Sequence, residues 1–223
     1  MKKFLLLLCL ITAANAQQPA RKPDPSLAKI TDDPALPRVL LIGDSISMGY
    51  TLPTRELLKG KANLHRIPTN GGSTKDGVAK IEGWLGNARW DVIHFNWGLH
   101  DLKHWKDGKL DPAAPEVSTL AEYEKNLREL VTRMKAASVK LIWATTTPVP
   151  VGSGGRTADD ELKYNEAAAR VMKDAGIPTD DLHALCKPKL GEWQRPKNVH
   201  FTTEGSAGLA AKVAADIETA LKK

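Results

Sequence analysis

Short apolar runs alternate with longer amphipathic segments along most of the chain. Apolar runs typical of buried strands, most of which end at Gly or Pro, cover residues 38–42, 64–67, 91–97, 140–147 and 177–182. Apolar residues recur at helical spacing, with charged residues on the opposite face, over residues 120–134, 159–175 and 203–221. This alternation predicts parallel strands joined by helices.

Parallel strands joined by right-handed crossovers carry helices on both faces of their sheet. We therefore expect an α/β fold, a three-layer α/β/α sandwich whose central parallel sheet has about five strands in a flavodoxin-like arrangement. Ligands of such sheets bind beyond the carboxyl ends of the strands. The residues that follow each predicted strand are thus the first candidates for chemistry.

The first 37 residues lack this alternation. Lysines at positions 2 and 3 precede an apolar run too short to span a bilayer, and residues 14–16 (Ala-Asn-Ala) are typical of a cleavage site. We expect residues 1–16 to be a signal peptide, which predicts a secreted or periplasmic protein without stable membrane insertion. Residues 17–37, rich in Pro, Lys and Asp, are expected to be a flexible leader. Residues 38–223 suffice for one domain.

The charge and cysteine content limit the classes of binding partner and covalent cross-link that we expect. The net charge of +6 would become +4 once Lys2 and Lys3 leave with the signal peptide. The basic residues are scattered, which favours a solvated surface over nucleic-acid binding and permits a modest attraction to acidic polysaccharide. Cys186 would be the only cysteine of the mature chain, so we expect no internal disulfide. We expect a monomer.

The candidate nucleophile follows the first predicted strand, where Gly43-Asp44-Ser45 leads into a helix. A serine hydroxyl needs a base to take its proton, and a helix N-terminus supplies N–H groups that hold an oxyanion. The alternative is that Ser45 only caps the helix. The G-x-S-x-G turn of other α/β hydrolases is absent, because Ser47 occupies its second glycine position.

In four sequence blocks the chain resembles the SGNH/GDSL hydrolase family of esterases and lipases, over nearly the whole predicted domain. The blocks are residues 43–45 (Gly-Asp-Ser), 70–74 (Asn-Gly-Gly-Ser-Thr), 98–101 (Gly-Leu-His-Asp) and 197–200 (Lys-Asn-Val-His). Each block is weak alone, but four in order at predicted strand ends are specific. The resemblance implies the SGNH hydrolase fold, Ser45 and His200 as catalytic residues, and an oxyanion hole of Ser45, Gly72 and His100.

One departure from the family pattern concerns the oxyanion hole. His100 stands where the family has Asn in its Gly-x-Asn-Asp block. An imidazole N–H can donate a hydrogen bond to an oxyanion as an amide does, so the role can survive the replacement. The alternatives are a structural role for His100, and Asn96 as the donor.

A second departure concerns the orientation of the base. The family has Asp three residues before its His, and Lys197 occupies that position here. An ammonium group cannot accept the imidazole N–H. Either a backbone carbonyl within residues 195–198 or a carboxylate from elsewhere must then orient His200, and Asp181 is the candidate carboxylate.

Several residues beside these blocks are candidates for substrate contact. Asp44 adjoins the nucleophile, whereas Trp105 and Trp193 fall in predicted loops where flat rings can stack on sugars. Loops over residues 100–115 and 148–157 are expected to overhang the catalytic edge. The histidines at positions 65, 104 and 183 show no zinc-site spacing, and no metal or cofactor is expected.

The family is widely used to remove acetyl groups from carbohydrates. The resemblance therefore implies a serine O-acetylesterase that acts on a small-molecule or polysaccharide ester, and export suits a polysaccharide. The alternatives are a lipase, lysophospholipase or thioesterase of the same family, and a catalytically impaired relative that only binds glycans. A narrow acyl pocket would favour acetate, and an open apolar groove would favour long chains.

Overall fold

The computed structural model describes residues 23–87, 89–137 and 140–222. The predicted signal peptide, residues 1–16, and residues 17–22 of the predicted leader lie outside the described residues. The predicted fold class is confirmed, because a central sheet of five parallel strands lies between helical layers.

The strands of the central sheet overlap the apolar runs that predict them. In chain order, the strands of the structure are β1 (Arg38–Ile42), β2 (Asn63–Arg66), β3 (Val92–Phe95), β4 (Trp105–Lys106), β5 (Lys109–Leu110), β6 (Lys140–Ala144) and β7 (Thr179–Asp180). The central sheet has the order β2-β1-β3-β6-β7, and each neighbouring pair is parallel. Strands β4 and β5 form an antiparallel hairpin that the sequence does not predict. The carboxyl ends of β1, β3 and β6 therefore lie side by side.

Helices follow most strands and cover the sheet. They are α1 (Ser45–Leu57), α2 (Thr74–Leu85), α3 (Leu120–Ala136), α4 (Glu161–Ala175), α5 (Leu182–Cys186), α6 (Leu190–Trp193) and α7 (Thr203–Lys222), with 3-10 turns at Pro25–Leu27 and Lys187–Lys189. Helix α1 packs against α7, and α2, α3 and α4 pack in series. Among the described helices, none combines the length and the apolar character that crossing a membrane requires.

The segment before β1 differs from the expected flexible leader over the part that the structure describes. The Asn63 amide donates to the carbonyl oxygens of Asp33 and Leu36, at 2.8 and 3.0 Å, and its oxygen accepts from the Asp33 N–H at 2.9 Å. Asp32 pairs with Arg38 at 2.7 Å and with His65 at 2.5 Å. Polar side-chain contacts hold this segment in place. Such contacts need no periodic pattern of apolar residues, so the hydrophobic pattern does not reveal them.

The last predicted strand is shorter than expected. Residues 177–182 form a ladder with β6 only at Thr179–Asp180. The chain leaves the sheet at Asp181, whose side chain accepts from the Ala184 N–H at 3.0 Å and begins α5. The cap competes with strand extension, because Asp side chains readily bond nearby backbone groups.

Candidate active site

Ser45 is the first residue of α1 and follows β1 after a sharp turn. Asp44 caps the helix, and its Oδ1 accepts from the Ile46 N–H at 2.9 Å. Gly43 is required here because a Cβ would lie 2.7 Å from the Ser47 Oγ. The turn therefore presents the Ser45 hydroxyl at the carboxyl edge of the sheet, as its position after the strand predicts.

A buried arginine braces this turn. Arg66 donates to the Ser47 Oγ at 2.6 Å and to the carbonyl oxygens of Gly43 and Asp44 at 2.8 and 3.1 Å. Burial lowers the pKa of its guanidinium to about 10, so it stays charged at neutral pH. The sequence analysis missed this residue; the available signal is an arginine inside an apolar run.

His200 contacts the candidate nucleophile directly. The Ser45 hydroxyl lies 2.9 Å from His200 Nε2, across 155 positions of sequence. On the other side of the ring, His200 Nδ1 lies 2.7 Å from Asn198 Oδ1. The predicted pair is thus brought together, and a third member, Asn198, completes the line.

The hydrogen bonds around Asn198 also fix the tautomer of the imidazole. The backbone N–H of His200 donates to Asn198 Oδ1 at 3.0 Å. A backbone N–H is only a donor, so the amide atom that faces it must be the oxygen. The same oxygen can only accept from Nδ1, which therefore carries the proton. Nε2 is left with a lone pair facing the Ser45 hydroxyl, as a general base requires.

Asp181 does not orient His200. Its Oδ1 accepts from the Ala184 N–H at 3.0 Å and from the Thr145 hydroxyl at 3.1 Å, while Asn198 occupies His200 Nδ1. The expected backbone carbonyl is also replaced, by a side-chain carbonyl from within the same short segment. The Asn198 side chain was not predicted, because only backbone carbonyls and carboxylates were considered as acceptors for the His200 N–H.

Electrostatics keep the His200 imidazole neutral. Burial lowers its pKa below the ordinary value, and the charges of Arg195 and Arg156 lower it further. The Asp44 carboxylate acts in the opposite direction. A neutral ring is the form that accepts the serine proton, so the base is ready near neutral pH.

His100 has a ring nitrogen available for an oxyanion. Its Nδ1 accepts a long, 3.5 Å hydrogen bond from Lys103 Nζ, which places the ring proton on Nε2. Among the described residues, neither His100 Nε2 nor the Ser45 N–H has a hydrogen-bond partner. Burial lowers the pKa of His100, so the ring donates from Nε2 as a neutral imidazole.

Gly72 does not offer a free N–H. Its N–H donates to Asn70 Oδ1 at 2.9 Å, so the predicted oxyanion role requires this bond to break. The residue has a φ of +62°, and a Cβ would lie 2.4 Å from the Asp76 Oδ2, which explains the glycine. The alternative donor Asn96 is also engaged, because its amide donates to the Ala144 carbonyl at 2.8 Å.

Asp101, which follows His100, links two of the sequence blocks. Its carboxylate is fully buried and accepts from the Thr74 N–H at 2.9 Å and the Thr74 hydroxyl at 2.5 Å. Burial raises the pKa of Asp101 to about 6 despite these bonds. The start of α2 is thereby held against the loop that carries His100.

Of the three residues expected to contact substrate, two are buried and one is exposed. Asp44 is 3% exposed and caps α1, so its carboxylate is not presented to a ligand. Trp193 is 7% exposed and packs on α7, where a Cβ at Gly208 would lie 2.3 Å from its ring. Both expectations are therefore wrong. Trp105 is 42% exposed, with Lys103 Nζ 4.3 Å from its ring centroid, and stays a candidate.

An open cleft of about 490 Å³ adjoins the Ser45–His200 pair. One wall is apolar and includes Met48, Leu52 and Phe201. The segment before β1 contributes Asp24 and Ser26 to the lining, which the expectation of a flexible leader did not anticipate. The cleft gives a substrate direct access to the hydroxyl.

Metal-ligand residues come together at one place in the described chain. Candidate ligand atoms of His104, Glu116 and Asp160 lie within 4.8 Å of one another. Lys163 Nζ lies 2.7 Å from the Asp160 carboxylate and already supplies this cluster with a cation. The other two histidines considered in the sequence pair with carboxylates instead, His65 with Asp32 and His183 with Glu161.

One known protein family matches most of the chain. Residues 41–207 match the GDSL-like lipase/acylhydrolase family. No protein of curated function matches the chain.

Solved structures share the fold. The lipase/acylhydrolase from Enterococcus faecalis is 18% identical, with a TM-score of 0.69 over 82% of this chain and 96% of that chain. Axe2, an acetylxylan esterase from Geobacillus stearothermophilus, is 19% identical, with a TM-score of 0.67 over 81% and 94%. The acetyl xylan esterase AlAXEase is 18% identical, with a TM-score of 0.67 over 81% and 99%. At these identities the likeness shows the fold alone.

Proposed function

Because the chain belongs to the GDSL-like lipase/acylhydrolase family, we propose that it is a serine esterase with Ser45, His200 and Asn198 as its catalytic triad. The observation that carries this proposal is the continuous line of contacts, 2.9 Å from Ser45 Oγ to His200 Nε2 and 2.7 Å from Nδ1 to Asn198 Oδ1. Asn in place of Asp is compatible with base catalysis as long as its oxygen, and not its NH₂ group, faces Nδ1.

The proposed reaction is acyl transfer through the serine. His200 Nε2 takes the Ser45 proton as the oxygen attacks the ester carbonyl, and the imidazolium returns that proton to the leaving alcohol. Water, activated by the same nitrogen, then attacks the acyl-enzyme and releases the acid. The Ser45 N–H and the His100 Nε2–H hold the oxyanion in both steps. Gly72 joins them if Asn70 releases its N–H.

The proposed substrates are short acyl esters, foremost O-acetyl groups on carbohydrates. Two structurally similar proteins are named acetylxylan esterases. The exposed Trp105, with Lys103 across its face, offers a flat surface of the kind that sugar rings stack on. The expected signal peptide suits a polymeric substrate outside the cytoplasm.

A second candidate, an esterase for longer acyl chains, is favoured by one observation. Apolar side chains at Met48, Leu52 and Phe201 line the cleft beside Ser45. Rates on p-nitrophenyl acetate, butyrate and octanoate separate the two, because a long chain gains by burying its methylenes there. Acetate as the preferred ester supports the first candidate, and octanoate supports the second.

The decisive test compares wild type with Ser45→Ala on p-nitrophenyl acetate and on acetylated xylo-oligosaccharides, with acetate release as the readout. We expect the variant to lose activity by at least ~10³-fold. Thr132→Ala removes one exposed hydroxyl on α3 and serves as the matched control with wild-type activity. Equal turnover by wild type and Ser45→Ala would refute the esterase. A wild type that binds these glycans without turnover would instead be a binding relative.

Export and oligomeric state complete the proposal. We infer cleavage after Ala16 and a monomeric protein outside the cytoplasm. N-terminal sequencing of the exported protein should begin at Gln17, and light scattering should give the monomer mass. Retention of residues 1–16 would contradict export by this route.

A further inference from the structure

Arg156 is a half-buried cation with free donors. Its Nε donates to the Leu99 carbonyl at 2.8 Å, which fixes the guanidinium beside the residue that precedes His100. Among the described residues, its two terminal nitrogens have no hydrogen-bond partner, and no carboxylate pairs with it. Because the guanidinium is bonded only through Nε, its two terminal nitrogens, which form a planar fork, are open to a ligand.

The loop that carries Arg156 is tied to both sides of the candidate active site. At its start, the Pro148 carbonyl accepts from the Gln194 amide at 2.8 Å, and the same amide donates to the Val199 carbonyl at 3.1 Å. Near its end, the Gly155 carbonyl accepts from the His104 N–H at 2.7 Å. The loop thus joins the segment that carries His200 to the loop that follows β3.

The charge of Arg156 acts on the reacting groups. It lowers the pKa of both His100 and His200. Burial lowers the pKa of Arg156 below its ordinary value, and the Asp44 carboxylate acts in the opposite direction. Among the described residues, no hydrogen bond or ion pair joins Asp44 to Arg156, so the two terminal nitrogens of Arg156 stay unfilled. Lys103 and Arg195 add further positive charge that acts on these two imidazoles.

We propose that Arg156 forms an anion subsite next to His100, at the edge of the candidate active site, and that the preferred esters are carried by a molecule with a carboxylate or sulfate group close to the ester. This proposal rests on the proposed esterase function. The planar guanidinium binds two oxygens of such a group at once, which a point charge does not. An acidic glycan bearing acyl esters meets this requirement, and a neutral xylan does not.

The test measures discrimination between matched substrates. Acetylated oligogalacturonides supply carboxylates, chemically sulfated acetylated xylo-oligosaccharides supply sulfates, and unmodified acetylated xylo-oligosaccharides are neutral. The quantity is kcat/KM on each acidic substrate divided by kcat/KM on the neutral one, at pH 8. Because it is a ratio, any effect of a variant on the chemistry common to all three substrates cancels.

We expect Arg156→Gln to lower this ratio by about 10- to 100-fold, as loss of a hydrogen bond to a charged group does, mainly through KM. Arg156→Lys should recover only part of it, since lysine lacks the fork. Arg170→Gln removes the same charge from the exposed face of α4 and should leave the ratio unchanged. The acidic arm that loses more identifies the group recognised.

An unchanged ratio in Arg156→Gln overturns the subsite, as does a wild-type preference for the neutral substrate. Binding of unacetylated oligogalacturonide to Ser45→Ala, followed by calorimetry, separates this proposal from the esterase itself. Binding that Arg156→Gln abolishes, in a protein whose wild type cleaves none of the three esters, would retain the anion site and refute the esterase.

Discussion

Asn198 offers the sharpest perturbation, because it differs from a carboxylate by one atom and contacts His200 at 2.7 Å. Asn198→Asp keeps the shape of the side chain and places a negative charge beside Nδ1. The charge stabilises the imidazolium, so the pKa of His200 rises. In the wild type that pKa is lowered, chiefly by burial.

The size of the effect follows from Coulomb's law. Unit charges about 4 Å apart, in an effective dielectric of about 20, interact by ~4 kcal/mol, which is roughly 3 pKa units. His200 is partly exposed, so solvent screening reduces the expected rise to about 1 to 2 units. The acid limb of the kcat/KM profile should move up in pH by that amount. Below the limb the variant should be slower than the wild type, and above it at least as fast.

The assay is kcat/KM for p-nitrophenyl acetate between pH 4.5 and 9, with Asn198→Ala as the companion variant. Asn198→Ala removes the acceptor and releases the ring to its other tautomer, so we expect a loss of ~10²- to 10⁴-fold. An acid limb that stays in place in Asn198→Asp, together with wild-type rates in Asn198→Ala, would refute the orienting role of Asn198.

Three further predictions follow from a close backbone approach, a buried carboxylate and a strained backbone residue. Gly71→Ala places a Cβ 2.8 Å from the Gly43 carbonyl, so it should lower the free energy of unfolding by ~2 kcal/mol or more, measured by urea titration against the solvent-exposed Gly83→Ala. Burial raises the pKa of Asp101 to about 6 from an ordinary 3.8; its stability contribution is complete below 3.8 and is lost as the pH rises through about 6. Asp101→Asn should therefore remove up to ~3 kcal/mol of pH dependence between pH 4 and 7, and an unaltered slope would contradict this. Lys197 has a φ of +54°, so Lys197→Gly should raise the thermal midpoint through relief of about 1 kcal/mol of strain; a lower midpoint would show that its side chain contributes more than its backbone costs.

The sequence predicts the fold well because its strands are continuous apolar runs. Strand β1 and the Gly43-Asp44-Ser45 turn lie where the pattern places them, and β3 and β6 begin within one residue of the expected positions. The two-residue strand β7 departs furthest from its predicted extent, and β3 and β6 also end before residues 97 and 147. Strand β7 ends at Asp180 because the Asp181 side chain accepts from the Ala184 N–H and begins α5, so residue 181 does not extend the pairing with β6.

The site is less predictable because its details depend on which hydrogen bonds are already taken. Spacing brings Ser45 and His200 together, but only coordinates show that the Gly72 N–H is held by Asn70. Trp193 lies beside the predicted block of His200, yet it faces small residues on α7 and is buried. A single sequence does not distinguish a tryptophan at a loop from one packed on a glycine-containing helix face.

Activation of Ser45 by His200 is tested most directly by covalent labelling with diethyl p-nitrophenyl phosphate, followed by peptide mass mapping. We predict one diethylphosphoryl group on the peptide that contains Ser45, formed at a rate that falls by at least ~10³-fold in His200→Ala. A label on another residue, or a labelling rate that is the same with and without the imidazole, would contradict the account.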